Sequence, residues 1–198
     1  SMPEYLVEKW KAAYGVKTTE KILEDFLTER PITVRCRTHK ASLREIVTSL
    51  KSQGVTVEQA PYLPYALKIS DYNHILTLET FLNGKILVQD VSSMLVAEAA
   101  DPQKGDYVID VCAAPGGKSI HAADKMGDYG NVDARDVSQY KADLIKENIH
   151  RTGVINVEAR VQDATVYDPD SEQAADIVIA DVPCSGLGIM GKKNDIKY

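Results

Sequence analysis

The residues best placed to do chemistry fall in two short runs. Cys112-Ala113-Ala114-Pro115-Gly116-Gly117-Lys118-Ser119 follows the strand-like Val108-Ile109-Asp110-Val111, and Asp181-Val182-Pro183-Cys184-Ser185-Gly186 follows a second apolar run at 176–180. Small residues between a strand and a helix let a ligand approach the backbone at the carboxyl edge of a parallel sheet. The ending Gly117-Lys118-Ser119 imitates a phosphate-binding loop, and the apolar run closed by Asp181 imitates the strand that helps hold magnesium in nucleoside triphosphatases. The imitation fails at Cys112, where G-x-x-x-x-G-K-[ST] requires glycine, and at Pro115, which has no amide hydrogen to offer a phosphate. The dinucleotide spacing G-x-G-x-x-G is absent as well. What remains is a site for adenosine without phosphates.

Two carboxylates and a thiol complete the set. Asp136 closes the strand-like run after the glycine loop, nineteen positions beyond Gly117, where a carboxylate can accept from both ribose hydroxyls. Its other reading is a helix N-terminal charge, because Ser138 opens a helix just after it. Asp163 follows the third run and is placed similarly near a base edge; either aspartate alone is also an ordinary loop residue. Cys184 closes the fourth run at the edge that carries the glycine loop, so the thiol and the loop are expected to face one cleft. A thiolate there suits a pyrimidine: cytosine C5 is a poor nucleophile until something adds at C6. A structural cysteine is the alternative. Cys112 and Cys36 read as packing residues. With no CxxC pair, the three cysteines support neither a zinc ribbon nor a disulfide scaffold, and no metal site is expected.

The elements that must position these groups can be read from periodicity and punctuation. Residues 1–30 form a helical lead-in, with helices at 3–14 and 18–30 closed by Gly15 and Pro31 and with Thr18 or Thr19 as N-cap. Residues 31–88 form a small α+β module: strand 32–38, a helix opened by the capping box Ser42 to Glu45 and stopped by Gly54, then strands at 55–58, 66–69 and 85–88. The β-α-β-β order is that of an RNA-recognition type of sheet, although no aromatic stacking signature accompanies it. From residue 89 the pattern becomes strict alternation: helix 92–100, strand 107–112, helix 119–126, strand 131–136, helix 138–151, then strands 157–161 and 176–182. This is a doubly wound α/β domain, residues 89–198, in which the apolar run 176–180 predicts a strand buried on both faces. Only four strands precede Tyr198, so the pattern predicts a sheet that is cut short.

At 198 residues, with 44% apolar and 26% charged side chains, the chain has the composition of a globular protein of one large or two small domains. No apolar run approaches the roughly 20 residues of a membrane helix and no charged-then-apolar leader opens the chain, so a cytoplasmic location is expected. The net charge of −6 argues against holding nucleic acid by bulk electrostatics. The charge is unevenly spread. Residues 31–60 carry Arg35, Arg37, Lys40, Arg44 and Lys51 against Glu45 and Glu58, a net of +3, which leaves −9 elsewhere. A basic module beside an acidic one, or simply a solvated helix face, is the expectation.

Both runs together strongly resemble the RNA cytosine-5 methyltransferases that use S-adenosylmethionine. With the upstream Val88-Gln89-Asp90-Val91-Ser92-Ser93 and the order of the modules, the chain looks most like the RsmB/Sun family acting on small-subunit (16S) ribosomal RNA. The resemblance covers nearly the whole chain and implies an incomplete Rossmann-like class I methyltransferase sheet. It further implies that Cys112, Ala113, Ala114, Pro115, Gly116, Gly117 and Lys118 wrap the cofactor, that Asp136 binds ribose, and that Asp163 lies by adenine. Asp181 would border the methyl group and the target base. Cys184 would assist product release, while the cysteine that adds to C6 would lie beyond Tyr198. That cysteine and the family's N-terminal RNA-binding domain are missing, so the resemblance implies a piece trimmed at both ends and inactive by itself. A noncatalytic RNA-binding module that keeps a methyltransferase-like sheet is the competing reading, ahead of a nucleoside triphosphatase.

Overall fold

The computed structural model describes residues 2–27, 31–127 and 129–184. Residues 31–182 make one compact unit; 2–27 and 183–184 belong to a second, smaller one.

In the smaller unit, α1 (Glu4–Tyr14) and α2 (Val16–Asp25) meet at Gly15, whose φ of +77° costs nothing without a Cβ. Gly15 closes α1 through its amide, which donates to the Lys11 carbonyl at 2.9 Å, and opens α2 through its carbonyl, which accepts from the Thr19 amide and hydroxyl. The second helix therefore starts earlier than the threonine caps predicted. One glycine serves both ends, and Thr19 bonds back from inside the first turn. Trp10 and Phe26 stack in a tilted pair with centroids 6.1 Å apart. The expected continuation of this helix through residues 28–30 lies outside the described residues.

The larger unit begins with β1 (Ile32–Cys36), α3 (Leu43–Ser52), β2 (Thr56–Gln59), β3 (Ala66–Ser70), α4 (Glu79–Leu82) and β4 (Ile86–Val88). The four strands form an antiparallel sheet in the order β2-β3-β1-β4, with Val34 opposite both Leu67 and Val88. The capping box forms as the sequence predicts: Ser42 Oγ accepts from the Glu45 amide and Glu45 Oε2 accepts from the Ser42 amide. One sheet face packs Val34, Cys36, Leu67, Ile69 and Ile86 against Ile46 and Leu50 of α3. Burial pushes the Cys36 thiol up to about 12, as befits a packing residue.

Next come α5 (Val91–Ala100), β5 (Tyr107–Asp110), α6 (Gly117–Met126), β6 (Asn131–Asp136), α7 (Gln139–Thr152), β7 (Val157–Val161) and β8 (Ile177–Ile179). Their strands are parallel and ordered β7-β6-β5-β8, so the chain switches direction across β5, the position where open α/β sheets bind ligands. Val108, Val132, Ala134 and Ile179 meet Ala122, Ala123 and Met126 of α6 and Ile145 of α7 in one core. The other face is charged. Arg135 donates to Asp133 at 2.6 Å and pairs with Asp168, while Arg160 reaches the second Asp133 oxygen at 2.7 Å. The run 176–180 is correspondingly not buried on both faces: Ile179 enters the core, whereas Val178, pointing the opposite way, is 61% exposed. Among the described residues no helix is long and apolar enough to cross a membrane.

The antiparallel sheet spends its second face on the α/β part. Arg35 Nη1 pairs with Asp124 Oδ2 of α6 at 2.6 Å, and Arg37 holds both oxygens of the same carboxylate. Arg37 Nη1 also donates to the carbonyls of Thr152, at the end of α7, and Gly84. Gly84 touches that helix end so closely that a Cβ would stand 2.5 Å from the Arg151 carbonyl oxygen. Arg151 returns the contact, lying 3.9 Å from the centre of the Phe81 ring and donating to the Phe81 carbonyl. These contacts correct the basic-module reading. Two of the five positive charges in 31–60 are buried ion-pair partners, which leaves Lys40, Arg44 and Lys51 exposed.

Candidate cofactor-binding site

The glycine loop runs from the end of β5 into α6, between the ends of β6 and β8. Most of its amides are already committed within the protein. Val111 donates to the Ile179 carbonyl at 3.0 Å, Ala113 to the Arg135 carbonyl at 2.8 Å, and Ala114 to Asp136 Oδ2 at 3.0 Å. Gly116 donates to the Ala113 carbonyl, and Pro115, which follows a cis peptide bond, has no amide to give. The amides of Val111, Ala113, Ala114 and Gly116 are therefore not available to cradle a phosphate.

Gly116 is the N-cap of α6 with φ +99°, and a Cβ there would press Ile145 Cγ2 at 3.3 Å. Gly117 needs no unusual backbone, and its Cβ would meet Gln89 at an ordinary 3.8 Å. Gly116→Ala should therefore cost about 1–2 kcal/mol in urea denaturation, the price of a left-handed side chain. Gly117→Ala should be close to neutral. Equal losses would refute this division of labour.

Asp110, at the end of β5, is a site residue the reading of motifs passed over. It is almost wholly buried. Its Oδ2 accepts from Ser119 Oγ at 2.7 Å and the carboxylate also draws on the Cys112 amide, while Oδ1 makes no well-formed hydrogen bond among the described residues. Burial pushes its pKa up to about 6, against the opposing pull of the Ser119 hydroxyl, the Lys118 charge and the Cys112 amide. The available signal was an acid at the end of the strand that enters the glycine loop.

Asp136 is brought to the loop and is buried. Besides the Ala114 amide it accepts from the Val137 amide at 2.8 Å and pairs with Lys141 at 3.0 Å. Burial pushes its pKa up, but these donors outweigh it and hold the carboxylate below the ordinary range. Asp136 thus braces the loop against β6, and the cap of α7 is Ser138, whose Oγ accepts from the Lys141 amide. Asp163 is exposed and folds back on Thr165, whose amide and hydroxyl keep its pKa low. A cavity of about 320 Å³ opens beside it, lined by Val111, Arg135, Gln162, Ala164, Val166 and Tyr167. Asp181 and Lys118 form an ion pair of 2.5 Å, which joins the end of the fourth strand to the glycine loop. Cys112 is half-buried; burial first, then Asp136 and Asp110, push its thiol up, so it stays protonated. Cys184 is an exposed free thiol, and its neighbours Ser185 and Gly186 lie outside the described residues.

A parallel sheet with a glycine loop at its switch point and acids closing the flanking strands defines a Rossmann-like methyltransferase domain. The family description "16S rRNA methyltransferase RsmB/F" matches residues 97–198, and the RsmF/B-like ferredoxin-like domain matches residues 2–75. The chain belongs to this RsmB/F methyltransferase family. It is 38% identical over 199 residues to the probable ribosomal RNA small subunit methyltransferase B of Bacillus subtilis, covering 100% of this chain and 44% of that protein. The 28S rRNA (cytosine-C(5))-methyltransferase of Mus musculus is 30% identical over 199 residues, covering 100% of this chain and 25% of that one. A crystal structure of a methyltransferase homolog protein from Pyrococcus horikoshii superposes with a TM-score of 0.74 at 29% identity, over 92% of this chain and 59% of that one. The chain thus spans less than half the length of both curated relatives.

Proposed function

We propose that this chain is the cofactor-binding part of an enzyme that methylates C5 of a cytosine in ribosomal RNA, with S-adenosylmethionine as donor. The observation that carries the reading is the buried Asp110 carboxylate, whose Oδ1 makes no well-formed hydrogen bond among the described residues, beside a loop most of whose amides are bonded within the protein. Such an oxygen calls for a cationic donor, and the amino group of a methionine moiety supplies one without phosphates. Asp136, braced against Ala114, is the acceptor for ribose hydroxyls, and the cavity beside Asp163 has room for a purine. The bound cofactor supplies an electrophilic methyl group on sulfonium. Lys118 and Asp181 border the position of that methyl group and of the base.

The finer reading follows the family resemblance. A cysteine thiolate of the longer protein, beyond Tyr198, would add to C6, and C5 would then attack the methyl carbon as its bond to sulfur breaks, releasing adenosylhomocysteine. A base would then take the C5 proton as the C6–S bond breaks and the thiolate leaves, a step that Cys184 would assist. Small-subunit RNA is the proposed substrate, supported by the name and higher identity of the Bacillus relative; the mouse relative is named for 28S RNA.

Calorimetry tests the cofactor. Adenosylhomocysteine should bind and ATP should not, and Asp136→Ala should weaken binding by about 1–3 kcal/mol by leaving ribose hydroxyls unpaired. Magnesium-dependent ATP binding with no response to adenosylhomocysteine would sink the proposal. The adduct is tested in the longer protein with ribosomal RNA on a denaturing gel. Cys184→Ala should accumulate the slow protein–RNA band, and replacing the downstream cysteine should abolish it. The reverse pattern would make Cys184 the nucleophile.

A further inference from the structure

The segment 88–93 runs beside the start of α6: a Cβ built on Gly117 would stand 3.8 Å from Gln89 Cδ. Gln89 continues β4 along β1, its amide donating to the Thr33 carbonyl at 3.1 Å. Its side chain is buried and bonded at both ends: Oε1 accepts from Arg35 Nε at 2.8 Å and Nε2 donates to Ser93 Oγ at 3.4 Å. The same side chain is the nearest neighbour on the Cβ side of Gly117, the first residue of α6. Arg35 meanwhile pairs with Asp124, seven residues along α6 and roughly 10 Å down its axis. A single guanidinium on the antiparallel sheet thus grips α6 directly near its end and, by holding Gln89, fixes the side chain that lies beside its first residue.

We infer that Arg35 and Gln89 are positioning residues that splint α6 and fix its first turn, so that the ferredoxin-like module is a structural part of the cofactor site. Both polar atoms of Gln89 are turned to Arg35 and Ser93, so it acts through its place beside Gly117. The splint should bear on the methionine end of the site, at the loop and Asp110, rather than on the ribose end at Asp136, which α7 and β6 hold. This assignment of ends rests on the function proposed above.

The test is Gln89→Met, which keeps the bulk and removes both hydrogen bonds, beside Gln89→Glu, which keeps an acceptor for Arg35. The buried cluster of Arg35, Arg37 and Asp124 carries one excess positive charge, so a carboxylate is accommodated there. Hydrogen exchange reads the first turn without any ligand, through the amides of Gly116 and Ile120, both hydrogen-bonded. In Gln89→Met they should exchange on the order of tenfold faster, a larger change than in β5, while the melting midpoint falls by a few degrees because buried Arg35 Nε loses its acceptor. Gln89→Glu should retain wild-type exchange. Adenosylhomocysteine affinity should fall by a similar factor in Gln89→Met while adenosine affinity holds. Unchanged exchange at Gly116 and Ile120 would overturn the inference. So would a loss of protection spread evenly through the unit, or equal losses for both ligands, since each marks an ordinary core residue. Failure of the wild-type chain to bind adenosylhomocysteine would instead overturn the proposed cofactor, and the exchange result would still decide the splint.

Discussion

Asp124→Asn should lower the unfolding free energy by about 3–5 kcal/mol, the usual cost of removing one partner from a buried charge cluster. Asp124 is the sole carboxylate that faces both Arg35 and Arg37 among the described residues, and all three side chains are almost fully buried. An amide in its place can accept from one guanidinium and must leave uncompensated charge on two. At about 2–4 °C per kcal/mol for a chain of this size, the melting midpoint should drop by roughly 6–20 °C. A urea titration checks it, and a loss below about 1 kcal/mol would mean that water reaches the guanidiniums. Burial pushes the Asp124 pKa up, but Arg37 and Arg35 outweigh it and hold it below the ordinary 3.8. A depressed carboxylate contributes all its stability above its unfolded value and loses it as pH falls through the folded one. The interface should therefore persist through mild acid and open only below about pH 3.8.

That interface also marks the limit of what the residues disclosed in advance. Strands 131–136 and 157–161 have the predicted bounds because glycines and turns beside them punctuate the chain, and the capping box at Ser42 forms between residues three apart. The glycine loop could be located because small residues between a strand and a helix leave few other uses. Arg35 and Arg37, by contrast, read as surface charge. Their partner lies almost ninety residues away on α6, where an aspartate carries no local sign that it will be buried. Alternation did place Arg35 and Arg37 on the face opposite Val34 and Cys36, but period two says only that the faces differ, not that both are covered. Val178 errs the other way: its apolar run implied two covered faces, and the structure covers one. Asp110 was quoted within its motif yet given no role, since its significance lies in an unpaired oxygen, which spacing cannot reveal.

Asp110→Asn should therefore make the chain more stable and a poorer binder. With a folded pKa of about 6 against an ordinary 3.8, the carboxylate holds its proton more tightly in the folded chain. Ionisation thus costs stability as pH rises from near 4 to near 6, and the full cost remains above that. At 1.36 kcal/mol per pH unit the cost at pH 7 is on the order of 3 kcal/mol. Asparagine accepts from Ser119 as aspartate does and never ionises, so its advantage should be near zero at pH 4. By pH 7 it should grow to about 1–3 kcal/mol, less whatever its own buried amide loses. A cationic amino group beside Oδ1 would reverse this balance by favouring the ionised form. Binding of adenosylhomocysteine to the wild-type chain should then weaken below about pH 6, where it must displace a proton from Asp110. In Asp110→Asn the affinity should drop by about 1.5–3 kcal/mol, roughly ten- to a hundredfold, and lose that pH dependence, while adenosine alone binds as before. Thermal melts from pH 4 to 8 with calorimetry of both ligands read all of these quantities. If Asp110→Asn destabilises the chain at pH 7, or binds both ligands as the wild type does, the unpaired oxygen is satisfied by something other than a ligand and the cofactor site has to be redrawn around Asp136.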